Sequence, residues 1–309
     1  MWFLFALATM LAWGAADLFY KKGADEHDKY SHLKTSMMVG LVMGAHAIYT
    51  LLFGDINYDF SNIIIYMPIS SMYILSMTVG YFGLRYLELS ISSPIQNASG
   101  AVVAIMCWLI LGQTMDMLTG ASVVLICFGV VLLGVFEKQS ITEAEKSGNE
   151  KYTRSFFAFL IPVFYCIIDS LGTFFDAYYL DDIAVTPLRQ VTEDTFEVVA
   201  NTSYELTFFI CALVIIFYLK VIKKESIRIN EQKDRGVAAI FETIGQFTYV
   251  FALSGNGVVA APMTAAYCIV SLVLSRIFLK EKLRGKQYIS VAVVVVGIIL
   301  IGVSEGLAG

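Results

Sequence analysis

FLKEKLRGKQYIS, Phe278–Ser290, joins two long apolar segments through four basic residues. At an offset of 168 positions toward the N-terminus the chain reads ILGQTMDMLTGAS, Ile110–Ser122, with no basic residue. The flanks agree without a gap. Pro94 aligns with Pro262, Tyr81 with Tyr249, Leu111 with Leu279, and Ser122-Val123 with Ser290-Val291. Gly129 aligns with Gly297, and Gly134-Val135 with Gly302-Val303. Matches among Val and Leu are cheap in apolar sequence, but in-register prolines and glycines are not. The two stretches are copies of one hairpin, and their difference in charge has to be explained.

The chain has 309 residues, of which 58% are apolar and only 15% charged. A soluble protein carries about 25% charged residues. With a mean hydropathy of +0.72, the class is an integral membrane protein. The net charge of −5 is confined to short connections. No basic run interleaves with exposed aromatics, so nucleic acid is not an expected partner. Cys107, Cys127, Cys166, Cys211 and Cys268 all fall in apolar segments without CxxC or Cys/His spacing, which fits buried small hydrophobes and neither disulfides nor zinc. The apolar run from Trp2 lacks a positive leader and a small-residue cleavage site, so it is expected to be a retained first span.

A span needs about 20 mostly apolar residues. Ten segments qualify: 2–20, 32–53, 63–87, 91–111, 115–136, 154–179, 200–221, 235–254, 257–279 and 286–304. Of the 21 Lys and Arg, all but Arg189 fall in the connections after spans 1, 3, 5, 7 and 9 or at their helix ends. Basic residues gather in short cytoplasmic loops. Both termini are therefore expected outside the cytoplasm, with the protein in the cell membrane. Five spans per half make the second half enter the membrane with the opposite polarity. The hairpin between spans 4 and 5 is then external, while its copy between spans 9 and 10 is cytoplasmic and collects charge. The expected fold is all-α, with ten transmembrane helices as two inverted five-helix repeats, 1–136 and 154–309, joined by a cytoplasmic linker at 137–153. Inverted repeats recur in transporters with a central site.

ALSGNGVVAAPMTAAYCIVSLVLSRIFLKEKLRGKQYISVAVVVVGIILIGV, beginning at Ala252, resembles the last two helices of the drug/metabolite transporter superfamily, EamA type. The Leu279-Lys280-Glu281-Lys282 hairpin followed by an Ile/Val/Gly-rich helix is the most recognisable part. GLRYLELSISSPIQNASGAVVAI in the first half and WGAADLFYKKG at the end of span 1 are similar to the same family. The first hairpin departs from the pattern, with Gly112-Gln113-Thr114 in place of the acidic–basic pair. The resemblance implies ten helices, two EamA repeats, and a central cavity lined by helices 1, 3, 4, 6, 8 and 9.

An ionisable group inside a span is costly and marks a functional candidate. Asp17, Asp169, Asp176, Glu205 and Glu242 are such groups. Asp17 and Glu205 lie near helix ends and are assigned to the headgroup region. Asp169 shares a helical face with Tyr165, Thr173 and Asp176, and Glu242 shares one with Gln246 and Tyr249. No basic residue lies deep in a span, which disfavours phosphorylated substrates; Arg85 is expected to pair with Glu88 three residues on. Carboxylates beside aromatic rings suit an organic cation, with Trp13, Tyr81, Phe241, Tyr249 and Tyr267 as walls. Gln96 and Asn97, which follow Pro94, can add neutral hydrogen bonds. The candidate substrate-binding set is Glu242, Asp169, Trp13, Tyr81, Gln96, Asn97, Asp176, Gln246, Tyr249 and Tyr267. His46 is expected to be a packing histidine. Gly129, Gly134, Gly297 and Gly302 are expected to pack spans 5 and 10 closely or to form a homodimer surface.

These readings point to a secondary-active or facilitative transporter of a small polar, cationic metabolite, with protons as the candidate coupling ion. An amino acid or other zwitterion is the alternative substrate, and a membrane scaffold or receptor the alternative class. No phosphate loop and no HExxH or GxSxG constellation occurs, so neither ATP, a cofactor nor enzymatic catalysis is expected.

Overall fold

A computed structural model of the chain describes residues 1–87, 89–146, 155–281 and 285–308, with side chains left undescribed at 90, 91, 134, 137–146, 155–159, 302 and 305–308. Apolar runs in hydrocarbon must close their backbone hydrogen bonds within themselves, and the described residues are helical with short connections. The helices are α1 (Trp2–Gly23), α2 (Ser31–Phe53), α3 (Ser61–Gly83), α4 (Leu89–Gln96), α5 (Ser99–Met106), α6 (Met117–Lys146), α7 (Ser155–Tyr179), α8 (Phe196–Phe217), α9 (Lys233–Leu253), α10 (Gly257–Ala265), α11 (Tyr267–Leu274) and α12 (Gly285–Ala308). Among the described residues, eight stretches are long and apolar enough to cross a membrane, two of them the combined runs Ser92–Leu111 and Gly257–Leu279. The shorter apolar helices Met117–Leu133 and Gly285–Ile301 stand at the fifth and tenth span positions. The backbone of α6 continues helical to Lys146, ten residues past the expected span end; 147–153, the rest of the expected linker, and residue 154 lie outside the described residues.

The offset of 168 holds in the backbone. Span 4 breaks into α4 and α5 at Asn97-Ala98, and span 9 breaks into α10 and α11 at Ala266. Pro94 and Pro262 lie inside α4 and α10, four residues before Ala98 and Ala266, and a proline there removes one helical hydrogen bond. Each span then ends in a π-helical turn, Cys107–Leu111 in one half and Ser275–Leu279 in the other. Each turn is closed by a left-handed residue, Gly112 at φ 68° and Lys280 at φ 59°. The first copy uses glycine where the backbone favours it. The second carries lysine in the same conformation, so the shared requirement is backbone shape and not charge.

Packing follows the same exchange of halves. Helix α1 lies along α9 and α3 along α7, while α2·α8, α6·α12 and α5·α10 each pair equivalent spans across the two halves. At α6·α12 the matched glycines carry the contact. A Cβ on Gly129 would lie 2.5 Å from Cγ2 of Val294, and one on Gly297 would lie 2.7 Å from Cγ1 of Ile126. Both glycines therefore face the other helix of the same chain, which is packing within the bundle.

The connections collect at two ends. At one end, Asn62 bonds the backbone of Arg189 through its amide nitrogen and oxygen, and Gly255 N–H donates to the Leu180 carbonyl. The other end holds the basic residues, and several are structural. Lys21 Nζ donates to the carbonyls of Leu84 and Leu87, each at 2.6 Å. Lys34 is buried and pairs with Asp28 at 2.9 Å and Glu225 at 3.1 Å. Arg85 donates to the carbonyls of Asp25, Lys29 and Glu26 and so fixes the α1–α2 connection. Its expected partner Glu88 lies outside the described residues.

Candidate functional site

The half-helices and their neighbours surround a central cavity. Its walls come from α1, α3, the α4–α5 and α10–α11 breaks, α7 and α9, which are spans 1, 3, 4, 6, 8 and 9. Helix α8 adds Tyr204, which the sequence did not single out.

Three carboxylates line this space. Glu242 Oε2 accepts the Tyr20 hydroxyl at 3.1 Å. Asp169 Oδ2 accepts Ser99 Oγ at 2.8 Å. Asp17 Oδ2 accepts Ser93 Oγ and Ser271 Oγ, both at 2.7 Å, and so joins α1 to α4 and α11. Among the described lining residues there is no Lys, Arg or His. Burying three carboxylates without a counter-charge is costly, which is the ordinary reason for such groups to be protonated or to await a cation.

The aromatic residues of the lining pair with one another. The ring of Trp13 lies 4.9 Å from that of Tyr249 and 5.7 Å from that of Tyr267. Tyr20 and Tyr81 approach to 4.5 Å. Tyr73 reaches Thr173 Oγ1 at 2.8 Å and the Tyr249 hydroxyl at 3.3 Å. Two polar atoms of the lining are buried without a hydrogen-bond partner among the described residues: Gln96 Nε2 and Gln246 Nε2. Orphaned polar atoms in a cavity mark where water or ligand binds.

Nine of the ten candidate residues thus come together: Glu242, Asp169, Trp13, Tyr81, Gln96, Asn97, Gln246, Tyr249 and Tyr267. Asp176 does not join them. It is fully buried between α7 and α3, where its Oδ1 accepts the Tyr66 hydroxyl. Seven residues beyond Asp169, it has passed the cavity and met the neighbouring helix. Phe241 stacks on Phe19 outside the lining. Two carboxylates correct the headgroup assignment. Asp17 faces the cavity, and Glu205 is completely buried, 2.8 Å from Nδ1 of His46. Tyr20 and Tyr73 were also missed. The spacing of Trp13, Asp17 and Tyr20 places all three on one face of α1, a signal masked by the lysines that follow. Among the described residues no group of three His, Cys, Asp or Glu side chains is placed to hold a metal ion.

Two repeats exchanged about a central, acid- and aromatic-lined cavity define a membrane transport bundle. The chain belongs to the EamA-like transporter family, whose model matches residues 1–135 and 184–303. In fold it is similar to a solved crystal structure described only as that of a protein, with a TM-score of 0.64 at 14% identity over 96% of this chain and 95% of that one. No curated protein matches the chain.

Proposed function

We propose that the protein moves a small cationic metabolite, an amine or quaternary ammonium, across the cell membrane by alternating access between halves 1–136 and 154–309. The observation that carries this reading is the lining itself, with Asp17, Asp169 and Glu242 facing a space that has no basic side chain among the described residues and is walled by Trp13, Tyr249 and Tyr267. Cation–π attraction and ion pairing both strengthen when water is excluded. Protons are the proposed coupling ion, since the same carboxylates can carry them. A second reading, a zwitterion such as an amino acid, is favoured by the orphaned donors on Gln96 and Gln246, which suit a carboxylate opposite an ammonium.

The test is flux in liposomes. Asp169→Asn is expected to abolish uptake of a labelled quaternary ammonium while expression and thermal stability stay near the parent's. Loss of stability with turnover retained would make the carboxyl structural. The proposed orientation puts the basic end in the cytoplasm. In a cysteine-free background, Asn57→Cys should react with an impermeant maleimide from outside, and Ser226→Cys only after the vesicles are opened. Labelling of both from one face would overturn the topology.

A further inference from the structure

The two hairpins share more than a backbone. Gln113, which follows the left-handed Gly112, accepts the Val258 N–H on its Oε1 at 2.8 Å. Glu281, which follows the left-handed Lys280, accepts the Leu89 N–H on its Oε1 at 3.1 Å. Positions 113 and 281 are related by the repeat offset of 168, and both acceptors lie in the halves opposite their donors. Leu89 opens α4 and Val258 is the second residue of α10. These are the half-helices that lead into the cavity breaks at Asn97 and Ala266. The residue preceding α10, Asn256, makes no side-chain cap of its own. A helix start leaves its first N–H groups without partners within the helix, and in hydrocarbon that deficit is severe.

We propose that Gln113 and Glu281 are a matched pair of positioning residues, each closing the start of a cavity-forming half-helix in the opposite repeat. Rocking of one repeat against the other separates one hairpin from its half-helix, so release of a single cap opens the cavity at the end where that cap lies. The pair also explains how an amide and a carboxylate can stand at equivalent positions of the two hairpins. What both positions supply is a side-chain oxygen. The carboxylate of Glu281 is favoured at a helix N-terminus, and the amide of Gln113 uses its Nε2 to hold Asp181 as well. The inference concerns gating and does not depend on which solute is carried.

The test places one reporter, Thr264→Cys on the cavity wall, in a background with the five native cysteines replaced, and follows labelling by an impermeant maleimide from each face of sealed vesicles. Methionine keeps the length of the side chain and removes the oxygen. Gln113→Met is expected to speed labelling roughly five- to tenfold from the face bearing residue 113 and to leave the other unchanged. Glu281→Met should do the reverse, and Glu281→Gln should label as the parent does. Should Gln113→Met not fold, Val258→Pro removes the donor instead, in a first helical turn that tolerates proline, and should open the same face. Parental labelling in both methionine variants, equal acceleration from both faces, or Glu281→Gln behaving as Glu281→Met would each overturn the proposal.

Discussion

Glu242→Gln is expected to weaken a cationic substrate by about 10- to 100-fold, the equivalent of one to a few kcal/mol. Glu242 is 7% exposed, on the cavity face of α9 that also carries Gln246 and Tyr249. Its carboxylate accepts the Tyr20 hydroxyl at 3.1 Å, and a carboxylate has further lone pairs for a ligand. Glutamine keeps the shape and an oxygen for Tyr20 but removes the charge, so a neutral ligand should lose far less. A proton and a cation compete for the same carboxylate, so the parent's affinity for a cation should fall as the medium is acidified, and the variant should lose that dependence. Equilibrium binding of a quaternary ammonium at several pH values measures both. Unchanged affinity with an unchanged pH profile would remove Glu242 as counter-ion and leave the cationic reading without its main support.

The largest effect on stability is expected away from the cavity. Glu205 of α8 is fully buried, and His46 of α2, whose side chain is 32% exposed, lies 2.8 Å from it. Removing His46 takes a hydrogen-bond partner from a completely buried carboxyl, at about 1–3 kcal/mol. His46→Leu should therefore lower the thermal midpoint in detergent sharply. Adding Glu205→Met to that variant should restore most of the loss, because replacing a whole buried pair with apolar groups is often near neutral. A double variant no more stable than His46→Leu alone would show that the pair is not the source of the effect. Transport by the double variant also separates stability from function, since neither residue lines the cavity.

Much of the architecture was legible in the sequence because its signals are local. Apolar length sets the spans. Pro94 and Pro262, in register at the offset of 168, marked spans 4 and 9 as copies, and the glycines at 129 and 297 anticipated the close approach of α6 and α12. The family resemblance pointed to the six spans that line the cavity, and helical spacing put Gln246 and Tyr249 on the face of Glu242. Tertiary structure decided the polar contacts, because a carboxylate within a span is defined by what stands opposite it on another helix. Asp17 looked like a headgroup residue until Ser93 and Ser271, on two other spans, were found to bond it. Asp176 shares a face with Asp169 but meets Tyr66 of α3 instead of the cavity. Glu205 is held by a histidine 159 positions away. The unlike residues Gln113 and Glu281 proved equivalent only when the half-helices they close were seen to belong to the opposite repeat. Backbone punctuation is written in neighbouring residues, whereas the partner of a buried charge is chosen by packing between helices far apart in the chain.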